Sequence, residues 1–201
     1  MYRRIVLQLP VSSKKSQMLT DIGLMTTMVA FAEIGDKTQL LALCLAARFR
    51  KPLPIVAGIL AATVANHLIA AWAGATFVEL VDPVIMKGII IASFVLMAVW
   101  MLIPDKLDDG AACDTKMSRY GVFAATVFLF FLAEMGDKTQ LATALLGAKM
   151  QSVPAVVTGT TLGMLIADVP AVFLGEKFAA KIPFKYLRWA SALIFIVFIF
   201  I

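Results

Sequence analysis

Nine residues occur twice in this chain, in surroundings where residues of their kind are costly to place. Ala32-Glu33-Ile34-Gly35-Asp36-Lys37-Thr38-Gln39-Leu40 returns 101 residues later as Ala133-Glu134-Met135-Gly136-Asp137-Lys138-Thr139-Gln140-Leu141, identical at eight of nine positions. Apolar runs flank the first copy, Ile22 to Ala32 on one side and Leu40 to Ala47 on the other. A charged side chain in the middle of a hydrophobic span costs roughly 2.5–3.5 kcal/mol on insertion scales, so by default it marks a functional site. Charges that merely pair with one another to fix helix packing would be the plain alternative, and acids repeated at mid-span serve that purpose poorly.

The rest of the chain is a frame for these motifs. Hydrophobic residues make up 61% of it, charged residues 15%, and the mean hydropathy is +0.91. Soluble domains are about 45–50% apolar, so an all-α integral membrane protein is expected. Long unbroken apolar runs exclude a closed barrel, and 201 residues accommodate about six helices of some 20 residues each with short connections. The spacing predicts spans at about 20–47, 54–77, 83–103, 120–148, 154–174 and 185–201. Pro52, Pro54, Pro83, Pro104, Pro154 and Pro183 stand at or near span ends, where a missing donor does least harm, while Pro170 lies inside the fifth span.

Residues 1–19 form a polar, basic lead-in, with Arg3, Arg4, Lys14 and Lys15, and its first seventeen residues read as disordered. The connection 104–119, with Asp105, Asp108, Asp109 and Asp114, separates a first three-helix repeat at 20–103 from a second at 120–201. The halves also match at the same offset of 101 in Gly58 with Gly159, Gly74 with Gly175, and Lys87 with Arg188. Because three is odd, the second copy must enter the membrane from the opposite side. Such inverted-topology repeats are common in secondary transporters, whose sites lie near the midplane at the repeat interface.

Orientation follows from the cations. Connections 1–2, 3–4 and 5–6 carry ten Lys and Arg residues, and the other side carries Lys87 and Lys149 plus the four of the lead-in. The positive-inside rule then puts both termini outside the cytoplasm, and a start at Met18 would remove the conflicting lead-in. The net charge of +5 needs no nucleic-acid partner, since most cations sit at span ends. Cys44 and Cys113 form no C-x-x-C pair, so neither a disulfide framework nor a thiolate metal site is indicated.

On one helix Glu33 and Asp36 would share a face and converge on one ion. Gly35 between them allows close helix approach or local unwinding. Gln39, Gln140, Thr38 and Thr139 add neutral oxygens, and oxygen ligands suit hard divalent cations where thiolate or imidazole would suit Cu(I) or Zn²⁺. Four carboxylates against Lys37 and Lys138 leave a formal balance of −2, which one divalent cation or two protons would neutralise. Lys37, four residues after Glu33, is placed to hold that carboxylate when no metal does. His67 and Asp168 align across the repeats near mid-membrane; Asp168 is the better ligand or proton carrier, and His67 titrates near neutral pH when unperturbed. Asn66 is placed for an interhelical hydrogen bond.

Two copies of E-x-G-D-[KR]-[ST], one in the first span of each half, resemble the cation/proton antiporter family that includes the Golgi and thylakoid Ca²⁺/Mn²⁺ transporters and the bacterial manganese exporters. The resemblance covers about residues 20–201. It implies two inverted three-helix repeats and export of Mn²⁺, or Ca²⁺, against protons. Carried over residue by residue, the motif acids are Glu33, Asp36, Glu134 and Asp137, with Lys37, Thr38, Lys138 and Thr139 completing the pattern. The central connection is far shorter than in the eukaryotic members, and the compact chain looks like the bacterial exporters of the inner membrane. The metal is then cargo, no resident cofactor is expected, the partners are the ion, protons and the bilayer, and the oligomeric state stays open. Rival readings are a cation channel, an exporter of small organic solutes, and an intramembrane aspartyl protease of the G-x-G-D kind, although Glu33 and Glu134 stand where that motif has its first glycine.

Overall fold

A backbone in hydrocarbon has no water to bond, so its N–H and C=O groups must be satisfied internally, and helices do this within a single segment. In the computed structural model, which describes residues 11–102, 121–174 and 184–200, regular structure among the described residues is entirely α-helical. In chain order the helices are α1 Val11–Glu33, α2 Lys37–Phe49, α3 Pro52–Glu79, α4 Pro83–Met101, α5 Val122–Glu134, α6 Lys138–Met150, α7 Val153–Leu174 and α8 Phe184–Phe200. Three of them, α3, α4 and α7, are long and apolar enough to cross a membrane alone; α1 and α2 taken as one bent span make a fourth. The connection expected at 104–119, with its four aspartates, lies outside the described residues.

The expected spans at 20–47 and 120–148 are each two helices, broken at the repeated motif. α1 and α2 meet at 71°. Gly35 and Gly136 sit at φ 88° and 78°, a region that side chains with a Cβ rarely adopt, and there each chain leaves its first helix. The second helices also stop alike: Arg50 and Gln151, again 101 apart, are left-handed at φ 52° and return their N–H groups to Ala46 and Gly147. Helix α1 begins at Val11, so residues 11–17 are helical where the sequence led us to expect disorder; no glycine or proline interrupts the chain from Val11 to Ile22. Asp82 caps α4, accepting from the Val84 N–H at 2.9 Å, with Pro83 in the first turn. Cys44 in α2 is disulfide-bonded, which its sequence context does not indicate.

Packing runs mostly between the halves. Helix α1 lies along α7 and α5 along α3, while α3 also contacts α6 and α7. The two like pairs use the same device: a Cβ on Gly58 would come within 2.6 Å of the Thr126 Cβ, and one on Gly159 within 3.0 Å of the Met25 Cβ. Both glycines and both partners are 101 apart, so the duplication seen in sequence is also a duplication of contacts. Large apolar side chains such as Trp72, Leu96, Phe128, Ile166 and Leu193 are exposed, as suits a surface against lipid. The buried interior holds apolar clusters around Met25, Phe94 and Phe198 and around Leu41, Ile55 and Phe130, and with them acids, amides and hydroxyls.

Candidate metal centre

Each break turns two helix ends inward. Glu33 and Glu134 close α1 and α5, and Asp36 and Asp137 are the residues before the first turns of α2 and α6. Glu33 and Asp36 therefore do not share one helix face as expected; a turn in which the Asp36 N–H donates to the Glu33 C=O at 3.0 Å separates them, and Asp137 and Glu134 form the same turn at 3.1 Å. Neither aspartate caps its own helix through the side chain. The positive ends of two short helices thus point at a common region, a placement that favours anionic groups.

Carboxylate oxygens of Glu33, Glu134 and Asp137, all buried, lie within 4.8 Å of one another. Two full negative charges at that spacing repel by about 3.5 kcal/mol at an effective dielectric of about 20. Protons or a nearby cation must offset this repulsion, and Lys37 is one such cation: its Nζ lies 2.7 Å from Asp137 Oδ1. Lys37 was expected to hold Glu33 along its own helix; because the helix is broken between them, it reaches the other half instead. Glu33 receives hydroxyls from both halves, Thr38 Oγ1 donating to Oε2 at 2.9 Å and Thr139 Oγ1 donating to Oε1. Glu134 is fully buried, and among the described residues no hydrogen bond reaches its carboxylate.

Gln39 and Gln140 brace the breaks. Their Oε1 atoms accept from the N–H groups of Gly35 and Gly136 at 3.0 and 2.7 Å. Gln39 Nε2 donates to the Ala167 C=O at 3.0 Å, and Gln140 Nε2 donates to Asn66 Oδ1. Asn66 Nδ2 in turn donates to the Phe131 C=O at 3.4 Å, the interhelical bond expected of it. The two carboxamides, expected as neutral ligands, here tie each motif to the long helix of the other half. Ala167 escapes sequence reasoning because it acts through its backbone. The one signal is its offset of 101 from Asn66.

His67 and Asp168 are both fully buried beside these anchors, and their side chains have no hydrogen-bond partner among the described residues. Lys138 is buried with its ammonium 5.9 Å from the centroid of the Trp100 ring. Of the expected acids, then, Glu33, Glu134 and Asp137 converge, whereas Asp36 and Asp168 are buried but stand outside that set.

The sequence pattern of the family described as divalent cation/proton antiporter GDT1 matches residues 22–109 and 122–200. The chain is 48% identical over 176 residues to a candidate manganese exporter of Vibrio cholerae, covering 87% of this chain and 86% of that one. A GDT1-like protein of Synechocystis is 27% identical over 90% of this chain and 95% of its own, and GDT1-like protein 3 of rice is 24% identical over 85% and 68%. No solved structure matches.

Proposed function

This chain belongs to the GDT1 family of divalent cation/proton antiporters, and on that premise we propose that it exports Mn²⁺ in exchange for protons, with Ca²⁺ as a second substrate. The family is one of transporters, so the protease reading is set aside. The observation that carries the proposal is the convergence of Glu33, Glu134 and Asp137 from both halves on one buried point. Oxygen donors suit Mn²⁺, and neither a sulfur nor an imidazole stands in that set. The name of the Vibrio relative supports the same cargo.

The helices are read as two inverted repeats of three spans, each opening with a span broken at its motif. On this reading the bundle lies in a bacterial inner membrane with both termini periplasmic. The formal balance of −2 across the two motifs is met by one divalent ion or by two protons. Metal and protons then compete for the same oxygens, which is the condition for exchange. A channel would use the same acids without coupling. Flux in proteoliposomes, with Mn²⁺, Ca²⁺ and Mg²⁺ offered in turn while internal pH is followed, separates the two. Mn²⁺ uptake that moves no protons, or transport of Zn²⁺ in preference to Mn²⁺, would overturn the reading.

A further inference from the structure

A lysine follows the acids in each motif. Lys37 crosses to Asp137 of the second half at 2.7 Å, and Lys138, its counterpart, has its ammonium 5.9 Å from the centroid of the Trp100 ring. Asp137 is 8% exposed and the Lys37 side chain 38%, so the lysine runs from a partly exposed position to a buried acid. The oxygen it holds belongs to one of the three converging carboxylates. A divalent ion using that carboxylate would meet the ammonium at short range, and two cations so close repel strongly in a partly dry site. Lysine is suited to giving way, being a compact charge on a flexible stem that rehydrates readily.

We propose that Lys37 is a tethered counter-cation of the metal centre: its ammonium holds Asp137 when cargo is absent, must leave when a divalent ion binds, and so sets the affinity of the site through that carboxylate. The proposal rests on the reading that Glu33, Glu134 and Asp137 bind the cargo. It makes Lys37 a positioning residue, acting through Asp137.

The test is calorimetric titration of the purified full chain with Mn²⁺ at one fixed pH. Lys37→Gln is expected to tighten binding about tenfold, a change of about 1.4 kcal/mol. Lys37→Arg, which keeps the charge, should restore the affinity of the parent. Lys149→Gln removes the same charge from the far end of α6 and controls for net charge; it should leave the affinity unchanged. A lysine needed only for structure gives the opposite sign, weaker binding in Lys37→Gln. Where that variant does not fold, the parent itself decides: Mn²⁺ should raise the labelling of Lys37 by an amine-reactive reagent, read by mass spectrometry, over the concentration range in which it binds. Unchanged labelling, or unchanged or weaker affinity in Lys37→Gln, refutes the tethered cation. A parent that binds no Mn²⁺ refutes the cargo site, and this inference falls with it.

Discussion

Gly74→Ala tests whether the spacing of α3 and α6 is what holds the centre together. A Cβ at Gly74 would lie 1.9 Å from the Ala144 carbonyl oxygen, and one at Gly147 would lie 2.3 Å from that of Ala71. These neighbours are backbone, so no rotamer change relieves the clash and the helices must separate. Overpacking costs typically about 1–3 kcal/mol, and backbone contact puts this case at the upper end. Alanine returns up to about 1 kcal/mol through helix propensity. The net loss is about 2 kcal/mol, or roughly 4–8 °C in Tm for a chain of this size.

The same displacement should reach function. Asn66 on α3 and Gln140 on α6 are joined directly, and Thr139, beside Gln140, donates to Glu33. Moving α6 by about 1 Å therefore misplaces donors around the acids, and misplacement on that scale can cost on the order of a hundredfold in rate. Thermal unfolding in detergent and Mn²⁺-driven proton movement in proteoliposomes measure the two effects. Gly88→Ala is the control, since nothing lies within 4 Å of a Cβ there; it should be neutral or slightly stabilising. A Gly74→Ala protein with the Tm and exchange rate of the parent would refute the reasoning.

Glu33→Gln and Glu134→Gln should each abolish exchange while leaving the protein folded, because each removes one acid from a shared set; normal transport by Glu134→Gln beside a dead Glu33→Gln would mean that the second motif is structural. Residual Mn²⁺ binding in either variant should vary less between about pH 5.5 and 8 than in the parent, as calorimetry would show, because one proton competitor is gone. Asp168→Asn should shift the apparent affinity or pH optimum of exchange without abolishing it, and outright loss would place Asp168 among the ligands. An epitope inserted after Asp108 should be reached by antibody only in permeabilised cells; binding on intact spheroplasts would reverse the orientation taken from the cation count.

Much of the architecture was legible because a bilayer leaves a chain few options. Apolar run lengths located α3, α4, α7 and α8 to within a few residues, and prolines such as Pro52 and Pro83 marked where helices begin. The duplication identified the residues that would be buried despite their charge, and Glu33, Asp36, Glu134 and Asp137 are all buried. Gly35 was read as allowing close helix approach or local unwinding, but the local pattern did not decide between them. Periodicity treats residues 20–47 as one helix, and only the positive φ of Gly35, a tertiary consequence, turns Glu33 and Asp36 away from a common face.

Partner choice was illegible for a deeper reason. Two nearly identical motifs describe two nearly identical sets of contacts, yet the centre they share is asymmetric. Glu33 takes a hydroxyl from each half, whereas among the described residues no hydrogen bond reaches the Glu134 carboxylate. Three carboxylates within 4.8 Å leave room for few donors, and once Thr38 and Thr139 both point at Glu33 they cannot also serve Glu134. The symmetry of the sequence is therefore broken by crowding at the centre. Glu33 and Glu134 each meet their counterpart from the other half at that point, and if the proposed cargo site is there, removing either one should silence both.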